Sequence, residues 1–418
     1  MSNKKFKIVS LGCRTNQYEG QAFRDQLEAL GYSQADHDEE ADLCIINTCT
    51  VTASADSSSR NEIRQLAKKN PNAKIMVTGC YAERDPEMIQ AIGGVTKVIS
   101  NTEKESLINE LFPEEKVPEF SIKNFDAHTR AFVKIQDGCN SFCTYCIIPY
   151  VRGRSRSRSA PQILKEVHQL VESGYKEIVL TGINIGDFDG GKSPCTLAEL
   201  VREVDRVPGV ERVRISSIDP DEVDDDLLDA VVNGKNTCHS MHIVLQAGSN
   251  VTLKRMNRKY TRQMFMETIN RLKRVSSSFT FTTDLIVGFP GETEYDFQES
   301  LDVMAEVQFS KVHMFPYSDR PRAKASLYPN KVSPQEIANR KQRVLRQAEK
   351  DSYKLRNEYV GQTMSVLTEA RDSDDWITGY TENFIEVRIP SKSLKPNEIV
   401  RVCLKENQPN GLVGEIKG

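Results

Sequence analysis

Gly138-Cys139-Asn140-Ser141-Phe142-Cys143-Thr144-Tyr145-Cys146 sets three thiols on one short loop with the spacing C-x3-C-x2-C. Cysteine thiolates are the usual ligands of iron–sulfur clusters. Three of them suit three irons of a [4Fe–4S] cluster and leave the fourth iron open to a small molecule. A structural zinc ion asks instead for four protein ligands, usually built from paired C-x2-4-C units. The nearest candidates for a fourth ligand, His128, His168 and Cys195, do not stand at zinc-ribbon spacing. Zinc, or three inert cysteines, are the alternatives to the open-iron cluster. The apolar run Ala131–Gln136 leads directly into the loop and reads as a strand, so the thiols stand at a strand's carboxyl end.

Outward from this loop, strand and helix patterns repeat from about Thr129 to Lys350. Further strands are expected at Glu177–Thr181, Arg212–Ser216, His242–Gln246, Phe279–Val287 and Lys311–Phe315. Ile163, Val167, Leu170 and Val171, and then Leu197, Leu200, Val201 and Val204, recur at helical spacing between them. Six such units predict an open or partial (β/α) barrel, whose ligands bind at the carboxyl ends of its strands. Thr181-Gly182-Ile183-Asn184, Ser216 and Gln246 stand at such ends and are candidate ligand contacts. Asp284 is polar within an apolar strand. It either faces the barrel interior or forms a structural salt bridge.

Before the barrel, three apolar runs each end in a cysteine: Phe6 to Cys13, Leu43 to Cys49 and Lys74 to Cys80. Phe23, Leu27 and Leu30 predict a helix over Gln21–Gly31, and a second helix is expected over Ser57–Lys69. Strands alternating with helices imply a doubly wound parallel sheet, in which ligands bind along the carboxyl edge. That topology gathers Cys13, Cys49 and Cys80 into a second three-thiol site, against the alternative of three unrelated buried cysteines. Cys44 lies inside its strand and reads as core.

The chain has 418 residues, too many for one ordinary core, with 38% hydrophobic and 28% charged residues. No apolar run approaches the roughly 18 residues of a membrane span, and the first residues lack a secretory apolar segment. A cytoplasmic protein with no membrane contact is expected. Ten cysteines in that setting point to metal or catalysis rather than disulfides. A net charge of −3 excludes a uniformly basic nucleic-acid binder but not local basic patches. One such patch is Arg152, Arg154, Arg156 and Arg158, which reads as a solvated loop or as a site for phosphate or carboxylate. After a helical Pro334–Tyr359, five short strands over Met364–Ile416 suggest a small OB-like barrel, a form that often binds oligonucleotides. Tyr380 and Phe384 are its candidates for stacking on bases, though core packing suits each of them as well.

The cysteine loop resembles the signature of the radical S-adenosylmethionine (SAM) enzymes. That resemblance implies SAM on the open iron, Tyr145 near its adenine, and Thr181, Gly182 and Asn184 at the edge that takes its amino group, with Ser216 and Gln246 at further SAM positions. Leu11-Gly12-Cys13-Arg14-Thr15-Asn16-Gln17-Tyr18-Glu19, Asn47-Thr48-Cys49-Thr50-Val51-Thr52 and Thr78-Gly79-Cys80 resemble the N-terminal domain of the radical SAM methylthiotransferases. There the three cysteines hold an auxiliary [4Fe–4S] cluster that takes part in sulfur insertion. The Asn-Gln-Tyr-Glu ending is most similar to the branch acting on threonylcarbamoyladenosine in tRNA. The branches for isopentenyladenosine and for a ribosomal protein side chain are the alternatives, together with a non-catalytic RNA-binding iron–sulfur protein. Gly379–Val387 resembles the RNA-binding TRAM domain.

The resemblance covers the whole chain and implies an α/β protein in three parts. These are a doubly wound methylthiotransferase domain (1–122), a partial (β/α) radical SAM barrel (123–356) and a small all-β TRAM barrel (357–418). It implies catalysis by all six cysteines, Cys13, Cys49, Cys80, Cys139, Cys143 and Cys146. It also implies RNA contact by the four arginines, and as partners a tRNA anticodon stem-loop, an electron donor such as flavodoxin or ferredoxin, and a sulfur source. Tyr317-Ser318-Asp319-Arg320-Pro321-Arg322-Ala323 departs from the family, which often has a glycine–threonine pair there, so its contacts need not follow the family's.

Overall fold

In a computed structural model, which describes residues 4–124 and 129–417, the three cysteine-ended runs form the centre of a five-stranded parallel sheet. The strands are β1 (Lys5–Ser10), β2 (Ser33–Gln34), β3 (Leu43–Thr48), β4 (Lys74–Gly79) and β5 (Val95–Val98), in the order β2-β1-β3-β4-β5. Every residue of β3 is buried, as a strand covered by helices on both faces must be. The predicted first helix is longer than its apolar pattern: α1 runs Arg14–Ala29. Its first turns carry Asn16 and Glu19, polar yet buried, because they face charges from the next domain. That inward polarity hid the helix from a hydrophobic reading. Helix α2 (Ala53–Lys69) starts where the Thr52 side chain accepts from Ala55 N at 3.1 Å, a regular N-cap.

The barrel is open, as expected. Strands β6 (Arg130–Lys134), β7 (Glu177–Thr181) and β8 (Arg212–Ile215) form one parallel sheet, with β7 central. Strands β9 (Ser240–Ile243), β10 (Thr280–Val287) and β11 (Lys311–Pro316) form a second, with the short strand Ser217–Ile218 on its edge. The largest hydrophobic core lies between these strands and their helices and includes Val133, Leu180, Val201 and Leu285. Helix Pro334–Asn357 then leads to a closed five-stranded barrel. Its strands are β12 (Thr363–Ser373), β13 (Trp376–Thr381), β14 (Glu386–Pro390), β15 (Ile399–Gln408) and β16 (Gly411–Ile416). The small barrel is tied to the large one: Arg212 donates to Tyr380 O at 2.9 Å, and Asn383 donates to Ser278 O at 3.1 Å. Among the described residues no helix is long and apolar enough to cross a membrane. His128 lies outside the described residues.

Candidate active site

The loop of Cys139, Cys143 and Cys146 is fixed by its own backbone and by a distant turn. Cys139 Sγ accepts from Ser141 N and Cys146 Sγ from Ile148 N, both at 3.4 Å. Thr144 N donates to Met256 O at 3.0 Å, and Asn257, at φ 61°, donates its side chain to Phe142 O at 3.2 Å. That turn also delivers Arg258, whose Nη1 donates to Cys143 Sγ at 3.1 Å and whose other nitrogen pairs with Asp219. Burial raises the Cys139 thiol, and burial followed by the charge of Cys143 pushes Cys146 up to about 12. Burial thus disfavours the thiolate on these sulfurs, and a bound cation would offset that cost.

The second trio is assembled by the sheet. Cys13 follows β1, Cys49 follows β3 and Cys80 follows β4, so parallel pairing brings all three to one edge. Two glycines permit the close approach. Gly12, at φ +91°, leaves room where a Cβ would stand 2.6 Å from Cys49 Sγ, and Gly79, at φ +97°, where one would stand 2.4 Å from Thr48 N. Burial, with Cys80 and Cys13 adding to it, raises Cys49 to about 11. Among the described residues no three His, Cys, Asp or Glu side chains converge on a single-ion site. Each trio offers three thiols, the number a cluster with one open iron takes, where tetrahedral zinc takes four protein ligands.

Arg152 is the residue whose place differs most from expectation. It is 2% exposed and cannot meet RNA. From the end of the cysteine loop it enters the N-terminal domain, where Nε donates to Cys80 Sγ at 3.3 Å and Nη1 to Asp137 at 2.8 Å and Glu19 at 3.1 Å; it also donates to Asn16. Lys104 joins Glu19 at 2.5 Å, and Lys134 lies 3.5 Å from it. Burial opposes ionisation of Glu19 and Asp137, but the charges of Arg152, Lys104 and Lys134 outweigh it and hold both well below the usual carboxylate range. Arg158 is likewise spent inside, on Glu166 at 2.6 Å and Tyr18 at 3.0 Å. Arg154 and Arg156 remain exposed. Tyr380 and Phe384 are stacked on each other at 4.8 Å, with Arg130 5.1 Å from each ring and Arg214 4.8 Å from Phe384. Both rings stay half-buried, and these contacts tie the small barrel to the large one.

Of the expected SAM residues, Tyr145 and Gln246 line one cavity beside Cys146, whereas Thr181, Gly182, Asn184 and Ser216 are not among its walls. The cavity, of about 180 Å³, is lined by Thr52, Tyr145, Cys146, Gln246, Asp284 and Tyr317 among others. Gln246 is held at φ 59°, a strained conformation for a non-glycine residue, and its buried Oε1 has no partner; neither has Ser216 Oγ. Unpaired buried acceptors call for a ligand or water. Gly182 lies against Gln136, whose Oε1 accepts from Ile183 N and Asn184 N at 3.1 and 3.0 Å. Asn184 donates to Glu222 at 2.9 Å, and burial together with Asp219 pushes Glu222 up to about 7. Gln136, Glu222, Asp219 and Arg258 were not singled out in the sequence. Gln136 carried a signal, a polar side chain at a buried strand end beside the cysteine loop, whereas Arg258 carried none. The divergent loop after β11 keeps its place: Arg320 pairs with Asp56 of α2 at 2.7 Å and Ser318 accepts from Ala53 N at 3.1 Å.

Comparison with known proteins agrees with this geometry. Residues 5–100 match the uncharacterized protein family UPF0004, and residues 133–304 match the radical SAM superfamily. The threonylcarbamoyladenosine tRNA methylthiotransferase MtaB of Chlamydia pneumoniae is 48% identical over 98% of both chains, and that of Bacillus subtilis is 36% identical over 96% of this chain and 94% of the relative. The tRNA-2-methylthio-N(6)-dimethylallyladenosine synthase of Finegoldia magna is 32% identical over 98% and 94%. In fold, the chain is similar to the radical SAM methyltransferase TsrM of Kitasatospora setae, with TM-score 0.59 and 14% identity over 78% of this chain and 77% of that one. Two cysteine trios on two carboxyl edges, in a chain that aligns end to end with these enzymes, place it in the radical SAM tRNA methylthiotransferase family.

Proposed function

We propose that this protein is the transferase that puts a methylthio group on C2 of N6-threonylcarbamoyladenosine, next to the anticodon of tRNA. The observation that carries the reading is the pair of trios, each touched at sulfur by a buried arginine, in a chain with 48% identity to a threonylcarbamoyladenosine methylthiotransferase against 32% to a dimethylallyladenosine synthase. Cys139, Cys143 and Cys146 would hold a [4Fe–4S] cluster open to SAM, and Cys13, Cys49 and Cys80 an auxiliary [4Fe–4S] cluster. When bound, these groups supply hydrogen abstraction from the adenine and the methylated sulfur that replaces the hydrogen.

The chain's own residues do the rest. Ser141 N, Ile148 N and Arg258 stabilise negative charge on the first set of sulfurs, and Arg152 does so on the second. Gln246, Ser216, Thr181, Gly182 and Asn184 supply polar contacts for SAM, and Tyr145 an apolar wall for its adenine. Segments 1–122 and 123–356 carry the two centres, and 357–418 serves as a TRAM-like module helping to seat the stem-loop, with Arg154 and Arg156 on its phosphates. A cytoplasmic electron donor such as flavodoxin or ferredoxin, and a sulfur source, complete the reaction.

Nucleoside mass spectrometry of tRNA from cells with and without the gene tests the reading. The methylthio form of threonylcarbamoyladenosine should disappear with the gene. Loss of methylthio-isopentenyladenosine instead would keep the chemistry and overturn the substrate.

A further inference from the structure

Arg130 at the amino end of β6, Arg212 and Arg214 of β8 and Arg14 of α1 are neighbouring guanidinium groups, and all but one are neutralised. Arg130 pairs with Glu369 at 2.5 Å, while Arg214 and Arg212 share Glu177 at 2.8 and 3.5 Å. Arg14 is the exception. Among the described residues it has no carboxylate within salt-bridge distance, and its one close contact is the Phe132 ring, 5.1 Å from Cζ. Phe132 stands on the same face of β6 as Arg130 and Lys134. Arg14 is exposed to solvent. It directly follows Cys13. A second unmet polar group stands beside Asp284, which lines the cavity next to Cys146. His242 Nε2 is buried without a hydrogen-bond partner, 3.4 Å from Asp284 Oδ1 and next to His313.

We propose that Arg14 receives the carboxylate of the threonylcarbamoyl side chain, and that it is the residue by which the enzyme separates this base from one bearing a neutral hydrocarbon on N6. The inference rests on the substrate reading above and adds the residue that enforces it. A guanidinium offers a carboxylate two parallel donors. An unpaired cation gains nothing from an isopentenyl group, and a site built for a polar group rejects the analogue that lacks it.

The test uses the reconstituted holoenzyme and three anticodon hairpins that differ only at the modified adenine: threonylcarbamoyl, its methyl ester, and isopentenyl. Binding is read by fluorescence anisotropy. The wild type should bind the free acid at least ten-fold more tightly than the other two. Arg14→Gln should bind all three alike, at the ester's level, and Arg14→Lys should recover part of the preference, with SAM affinity and iron content unchanged in both. An Arg14→Gln protein that still prefers acid over ester overturns the inference and leaves the substrate standing. So does one that loses affinity for SAM while keeping the hairpin preference, since Arg14 would then serve the methionine carboxylate. If the variant fails to fold, the wild-type protein still decides, because equal binding of acid and ester excludes a carboxylate receptor. A wild type that prefers the isopentenyl hairpin overturns the substrate reading itself.

Discussion

Cys139, Cys143 and Cys146 share one loop, whereas Cys13, Cys49 and Cys80 come from three strand ends of a parallel sheet. Each set nevertheless receives a hydrogen bond from a buried arginine that is remote from it in sequence, Arg258 in one case and Arg152 in the other. The surroundings of the two arginines differ. Arg258 answers to Asp219 and sits near the cavity, while Arg152 is locked into a buried network with Glu19, Asp137, Lys104 and Lys134 that joins two domains. The first arrangement keeps a centre near its ligand pocket; the second makes the other centre part of the structural frame.

The largest effect should come from the sulfurs. Replacing Cys13 or Cys146 by Ala should abolish thiomethylation, with one cluster's iron lost and the other's electron paramagnetic resonance signal retained. Full activity of Cys13→Ala would sink the two-cluster reading. Next come the arginines. Arg152→Leu leaves Glu19 and Asp137 short of their main partner and should cost about 3–5 kcal/mol in urea unfolding. Arg258→Leu removes a smaller set of bonds and should cost about 1–3 kcal/mol. Equal costs would erase the distinction between frame and pocket.

A pH profile sharpens the pocket side. Burial, then Asp219, pushes Glu222 up to about 7, above its unfolded value. The folded state therefore binds this proton more tightly, and the stability it brings is fully present below the unfolded value and lost as pH rises through about 7. Glu222→Gln should flatten that stretch of the stability profile; an unchanged slope would remove Glu222 as its source. The smallest effect divides the arginine run. Arg154→Ala or Arg156→Ala should weaken hairpin binding a few-fold and lower the salt slope by about 0.7–1. Arg158→Ala, already paired with Glu166, should leave the slope unchanged.

The cysteine loop, the βα rhythm and the final small barrel were legible because each rests on local spacing or strand periodicity. The second trio was legible through topology, since parallel strands put their ends on one edge. The roles of Arg152 and Arg158 were not. An arginine among small residues looks the same in sequence whether it meets a phosphate or a buried carboxylate, and only the position of Glu19, far along the chain, decides. Arg258 and Asp219 were missed for the same reason. Gln136, a polar residue closing a buried strand, was within reach of the sequence and was passed over.

The unequal construction of the two trios also sets how each is gathered. A short loop costs little entropy to close, so Cys139, Cys143 and Cys146 are near one another as soon as that stretch leaves the ribosome. Cys13, Cys49 and Cys80 meet only after β1, β3 and β4 have paired, and Arg152 reaches Cys80 only after the barrel has docked. One set of sulfurs is thus gathered by local chain closure and the other by long-range strand pairing, two different demands on a single polypeptide.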